Sequence, residues 1–178
     1  MNGNCHLAVG TCVGTALALN LDKVNTLLPS IENSPSQFVL LILGGMVGGL
    51  FADIDNPKSH IGQLTTPISN FIGGLGFMFG KSGSNHRGVF HDIGLFTLLA
   101  IFCYFYCPSL IGFMLGYLTH LLLDALNPSG VPIFLISKIH LLPYGHSIPS
   151  NSKTASVISY IFALTSLGLG VFMKVGLD

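Results

Sequence analysis

Five apolar stretches, at about 6–20, 37–52, 92–107, 109–126 and 155–173, take up most of this chain and are broken only by short polar or Gly/Pro-rich segments. A chain that is 50% apolar and 8% charged lacks the polar side chains to cover a water-soluble surface. The pattern points to an integral membrane protein: an all-α, compact bundle of about five short transmembrane helices, forming a single domain over residues 1–178. Most of the stretches fall short of the roughly 20 residues an upright span requires, so tilt or burial within the bundle must compensate. The formal net charge of zero gives no footprint for a nucleic-acid partner. The opening "MNGNCH" has no basic cluster, and no cleaved signal peptide is expected.

Glycine supports a bundle. Gly10 and Gly14, Gly44 and Gly48, Gly45 and Gly49, and Gly112 and Gly116 are each four apart. That spacing stacks each pair on one helix face and lets backbones approach closely. The segment 61–80, "IGQLTTPISNFIGGLGFMFG", is a poor lipid-facing span, with Gln63, Pro67 and Asn70 inside it. A re-entrant or interfacial course is expected there, and the choice has consequences for chemistry.

Ionisable residues inside apolar helices are costly and usually functional. Here they fall in four places: His6; Asp53 and Asp55; His86, Arg87 and His91 within "HRGVFHD"; and His120 with Asp124. If 61–80 does not cross, the helices alternate so that all four groups reach one side of the membrane. His120 and Asp124, in "THLLLD", project from one helix face a turn apart, a spacing that lets an imidazole and a carboxylate grip one ion. "DIDNP" ends a helix with two carboxylates, and Pro57 enforces an irregular turn in which both can face a cation. His86 and His91 add nitrogen donors, and Arg87, the only arginine, carries a planar fork suited to an anion.

A mixed His/Asp set favours a catalytic over a structural metal site, because structural zinc prefers cysteine-rich shells. The expected ligands are His6, Asp53, Asp55, His86, His91, His120 and Asp124. The expected cofactor is a divalent metal, zinc first, with manganese or iron as alternatives. Simpler roles stand beside this one: an interfacial His6, a helix-capping Asp53, and a His120–Asp124 pair that only ties helices together. His60, His140 and His146 fall in loops and read as solvated, although the tail of the 127–154 region, "SKIHLLPYGHSIPSNSK", reads as a loop that could lid the site and bring His140 or His146 to it. Cys5, Cys12, Cys103 and Cys107 form no C-x-x-C pair and read as small core residues.

The blocks "GGLFADIDNPKSHIG", "HRGVFHDIG" and "GYLTHLLLDALNPSGVPIF", after an early histidine, resemble the YdjM family, described as LexA-regulated, membrane-bound, metal-dependent hydrolases. Ala52 stands where that pattern has proline, and Asn56 follows the second aspartate, while both acids are kept. A more distant likeness is to zinc-dependent phospholipases C. That analogy implies His6, Asp53, His86, His120 and Asp124 as ligands, with Asp55 and His91 as further ligands or the acid/base. The resemblance implies a metal-dependent hydrolase that acts on a phosphoester or other ester of a lipid or amphiphilic substrate, induced in the SOS response. Asp55 or His91 would take a proton from water, and Arg87 would hold developing negative charge. A metal-ion or solute transporter and a non-catalytic membrane protein are the alternatives. Lys58, Lys81, Arg87, Lys138 and Lys153 on the site's side, against Lys23 and Lys174, put the site at the cytoplasmic face of the cell membrane.

Overall fold

Each of the five apolar stretches forms a helix, and local punctuation sets where most of them begin. The computed structural model describes residues 3–71, 89–134, 136–143, 146–150 and 152–176. Helix α1 (Gly3–Leu19) is followed by the short α2 (Leu21–Leu27), bent from it by 78°. Helix α3 (Pro35–Phe51) has Pro35 in its first turn and Ser34 as N-cap, the Ser34 hydroxyl accepting from Gln37 N. A 3-10 turn, Ala52–Asp55, leads towards α4 (His60–Leu64), which is capped by Ser59. Helices α5 (Ile93–Tyr106) and α6 (Ile111–Ala125) then form an antiparallel pair, and α7 (Lys153–Val175) starts at the Ser152 cap.

Three helices, Pro35–Asp55 and Pro108–Ala125 with their 3-10 extensions and Lys153–Val175, are long and apolar enough to cross a membrane. The bent α1–α2 pair makes a fourth if it counts as one span, and α5 is a shorter apolar helix. The five expected helices are therefore present, two of them short or broken. Asn20 explains the break. Its side-chain amide donates to the Ala16 carbonyl at 2.9 Å and to the Gly170 carbonyl of α7 at 2.8 Å, tying two helices together where α1 ends.

The glycine pairs form the helix contacts. Gly10 and Gly14 of α1 face Gly45, Gly49 and Leu41 of α3, and a Cβ at Gly14 would lie 2.5 Å from the Leu41 carbonyl oxygen. On the other side of α3, Gly44 and Gly48 meet the Phe113 backbone of α6, while Gly112 and Gly116 of α6 meet Leu41 and Gly45. Helix α3 is thus sandwiched between α1 and α6 at backbone contact, with α7 packed on α1. An aromatic layer of Phe51, Phe96, Phe113 and Tyr117 surrounds the α3–α6 junction. Large apolar side chains on the outer faces, such as Leu43 of α3, Phe105 of α5 and Leu164 of α7, are exposed, as lipid-facing residues are.

One expectation for the connecting segments needs revision. The tail 137–153, read as loop, supplies one strand of a short antiparallel hairpin in which Val131 pairs with Ile139 and Ile133 with Ser137. Gly130, at φ +63°, turns the chain into it, and the fully buried Val131 anchors it against Tyr117, Leu121 and Ala125. Pro and Gly around a three-residue strand hid its alternation. Segment 61–80 is helical over α4 and again at 66–71, and its remainder lies outside the described residues. Its flanks nonetheless meet, because His91 Nε2 lies 3.5 Å from Asp53 Oδ1.

Candidate metal centre

One end of the bundle collects the start of α1, the end of α3, the turn before α5 and the end of α6. Each contributes an ionisable side chain. His6 sits in the first turns of α1, Asp53 in the 3-10 turn after α3, His91 in the 3-10 turn Val89–His91, and His120 with Asp124 on the last turns of α6. All five are buried.

Backbone packing puts them there. A Cβ at Gly49 would lie 2.5 Å from the His6 carbonyl oxygen, so this glycine is what lets the start of α1 press on α3. The Gly49 carbonyl in turn accepts a hydrogen bond from His120 Nδ1 at 2.8 Å. That bond places the ring proton on Nδ1 and leaves the Nε2 lone pair of His120 turned into the cluster. The His6 ring stacks on His120 with centroids 3.7 Å apart. Tyr117, on the same face of α6, donates its hydroxyl proton to the Phe90 carbonyl, holding the turn that carries His91.

The resulting donor atoms are close-set. His6 Nε2 is 3.4 Å from Asp124 Oδ1. His91 Nε2 is 3.5 Å from both Asp53 Oδ1 and Asp124 Oδ2, and 3.3 Å from His120 Nε2. His120 Nε2 is 3.8 Å from Asp124 Oδ2. Among the described residues, two groups could hold an ion: His6, His120 and Asp124, and Asp53, His91 and His120, each with its ligand atoms within 4.8 Å of one another. His120 is shared, and Asp124 presents one oxygen to His6 and the other to His91 and His120. Asn127, fully buried, donates from Nδ2 to Asp124 Oδ1 at 2.9 Å and fixes the carboxylate.

Among the expected ligands, His6, Asp53, His91, His120 and Asp124 come together. Asp55 lies in the same turn as Asp53, half-buried, and belongs to neither group. His86 and Arg87 lie outside the described residues. His140 is exposed on the Pro128 carbonyl at 3.1 Å, and His60 and His146 are exposed. The four cysteines are free thiols, and neither group includes one.

Asp92, the acidic end of "HRGVFHD", serves structure. Its Oδ1 accepts from Gly94 N at 2.7 Å and Leu95 N at 3.2 Å as the N-cap of α5, and from Phe134 N at 3.1 Å, joining the hairpin to the bundle. Asn127 was missed at the level of sequence because "NPSG" reads as turn chemistry. Its offset of three from Asp124, one helical turn, was the available signal.

No solved structure matches this chain. The inner membrane protein YdjM of Escherichia coli strain K12 is 38% identical over 97 residues, which cover 47% of this chain and 43% of the relative. The inner membrane protein YdjM of Shigella flexneri matches with the same identity and coverage. The chain thus spans less than half the length of the curated relatives it matches. The YdjM inner membrane protein pattern matches residues 1–176, close to the whole chain, with His6, Asp53, His91, His120 and Asp124 all inside it. This chain belongs to the YdjM inner membrane protein family.

Proposed function

We propose that the protein is a membrane-bound, metal-dependent hydrolase acting on a phosphoester or other ester of a lipid or amphiphilic substrate. The observation that carries this reading is the spacing of the buried donors. Hydrogen bonds from nitrogen to oxygen cluster near 2.9–3.0 Å, whereas the separations between ring nitrogens and carboxylate oxygens here run from 3.4 to 3.8 Å. Donor atoms about 2.0–2.1 Å from a tetrahedral zinc ion stand about 3.3–3.4 Å apart, so the cluster is spaced like ligands around an ion. A purely structural polar network would be drawn tighter, with its donors and acceptors at hydrogen-bond distance.

His6, His120 and Asp124, with Asp53 and His91, would hold one or two divalent ions, zinc first and manganese or iron as alternatives. Such an ion supplies an activated water and polarises the ester oxygen. The protein's own groups do the rest. Asp124, held by Asn127, and His120, held by the Gly49 carbonyl, keep their lone pairs aimed inward without rearrangement. The Asp53 side chain is 12% exposed, against 6% for Asp124 and 1% or less for the histidines, which favours the Asp53 side as the way in for water and substrate. Asp55, half-buried in that same turn and in neither donor group, would take the proton released from water, with His91 as the base only where it is not a ligand. A site at the end of a bundle lets a head group enter while the apolar part stays in the bilayer.

Metal analysis of the detergent-purified protein, with zinc, manganese and iron measured together, tests the site. Stoichiometric metal in the wild type, lost in His120→Ala and Asp124→Ala, is expected, together with metal-dependent hydrolysis among phospholipids and lipid phosphates. Wild-type metal content in both variants, or metal without any hydrolysis across that panel, would overturn the reading.

A further inference from the structure

Between α5, the start of α6 and the end of α2 lies a cavity of about 230 Å3, lined among others by Leu28, Phe96, Ala100, Cys103, Ile111 and Met114. None of the buried polar atoms that lack a partner belongs to its lining. Water would gain nothing there, and an apolar cavity of this kind favours an apolar guest. The wall along α5 runs from Phe96 to Tyr104, about 12 Å of helix axis. Tyr104, 59% exposed, marks where the cavity opens to the outer face of the bundle, beside exposed Ile101 and Phe105.

One end of the cavity lies close to the metal centre. Phe96 packs edge-on against Tyr117 with ring centroids 5.3 Å apart, and Tyr117 holds the Phe90 carbonyl next to His91. Leu28 and Pro108 line the other end. The occupant must be thin. A helix about 10 Å across would fill roughly 900 Å3 over the same 12 Å length, more than the space between these helices holds. A single hydrocarbon chain meets the size, the dryness and the opening towards lipid.

We propose that this cavity binds one acyl chain of a membrane phospholipid, which makes the substrate of the His/Asp centre a phospholipid whose head group lies at that end of the bundle. The assignment of the head group rests on the hydrolase reading, while the chain site stands on the cavity. The experiment uses the full chain reconstituted into vesicles of phosphatidylglycerol and phosphatidylethanolamine that contain a phospholipid with a photoreactive diazirine in its acyl chain. Crosslinks are mapped by mass spectrometry. At least a ten-fold enrichment on Ala100, Cys103 and Met114 over the lipid-facing Val157 and Leu164 of α7 is expected. Ala100→Trp, or Leu115→Phe should the first not fold, abolishes the enrichment and leaves the α7 crosslinks and the metal content unchanged. Crosslinking equal on the two faces, or indifferent to both substitutions, would overturn the chain site. A protein that crosslinks in the cavity but binds no metal removes the hydrolase reading alone, and a metal-loaded protein with uniform crosslinks removes the chain site alone.

Discussion

Asn127 exerts its effect on the centre through Asp124. With its Nδ2 bonded to Asp124 Oδ1, Asn127→Ala frees the carboxylate to rotate without removing a ligand. Groups that orient a ligand are typically worth about 10–100-fold in metal affinity. Titration against a chromophoric chelator should therefore show weaker metal binding in that range, with helicity unchanged; unaltered affinity would mean that the bond to Asp124 is idle. Tyr117→Phe acts on another ligand. It leaves the Phe90 carbonyl without its donor, at a cost of about 1–3 kcal/mol if no water replaces it. The turn carrying His91 loosens, and both the detergent unfolding midpoint and the metal affinity should fall. At this scale the sequence was partly readable. The i, i+4 spacing of His120 and Asp124 already places them on one face, because helix periodicity is local. The use of Asp92 as a cap and of Asn127 as a support depends on partners far along the chain or in a turn, and neither spacing nor composition shows such partners.

Helix packing, not the ligands alone, makes the centre. The same glycine, Gly49, receives the His6 backbone on one side and offers its carbonyl to His120. Gly49→Ala would therefore part α1 from α3 and shift two donors together. Overpacking of a close contact costs about 1–3 kcal/mol, and metal should be lost at temperatures where the helices persist. Gly168, also in a helix, has nothing within 4 Å of the place a Cβ would occupy. Gly168→Ala should be neutral or raise stability by up to about 1 kcal/mol. Thermal unfolding followed by circular dichroism, with metal release monitored in parallel, separates the two, and equal effects would remove the close-packing explanation. The glycine pairs were legible because a four-residue spacing in an apolar helix has few other uses. The kink at Asn20 was not, since it depends on a carbonyl of α7 some 150 residues away.

On the scale of the whole molecule, the helices alternate so that one end carries the His/Asp centre and the other the ion pair of Lys174 with Asp22 at 3.3 Å. Convergence of the polar groups followed from counting helices, provided the chain between Asp53 and His91 returned to its starting side, and the 3.5 Å approach of those residues shows that return. Lysines sort with the ends: Lys58 and Lys153 adjoin elements of the centre's end, whereas Lys23 and Lys174 lie at the other. Positive charge is enriched on cytoplasmic flanks, and Lys138, in the exposed hairpin strand whose partner packs on the end of α6, adds to the centre's end. The centre should thus face the cytoplasm. With the native cysteines replaced by alanine, Lys153→Cys should react with a membrane-impermeant maleimide only after the membrane is opened, and Lys174→Cys should react from outside. The reverse pattern would turn the molecule over and require the substrate's head group to be presented from the opposite leaflet, while labelling of both from one side would break the assignment of α7 as a span.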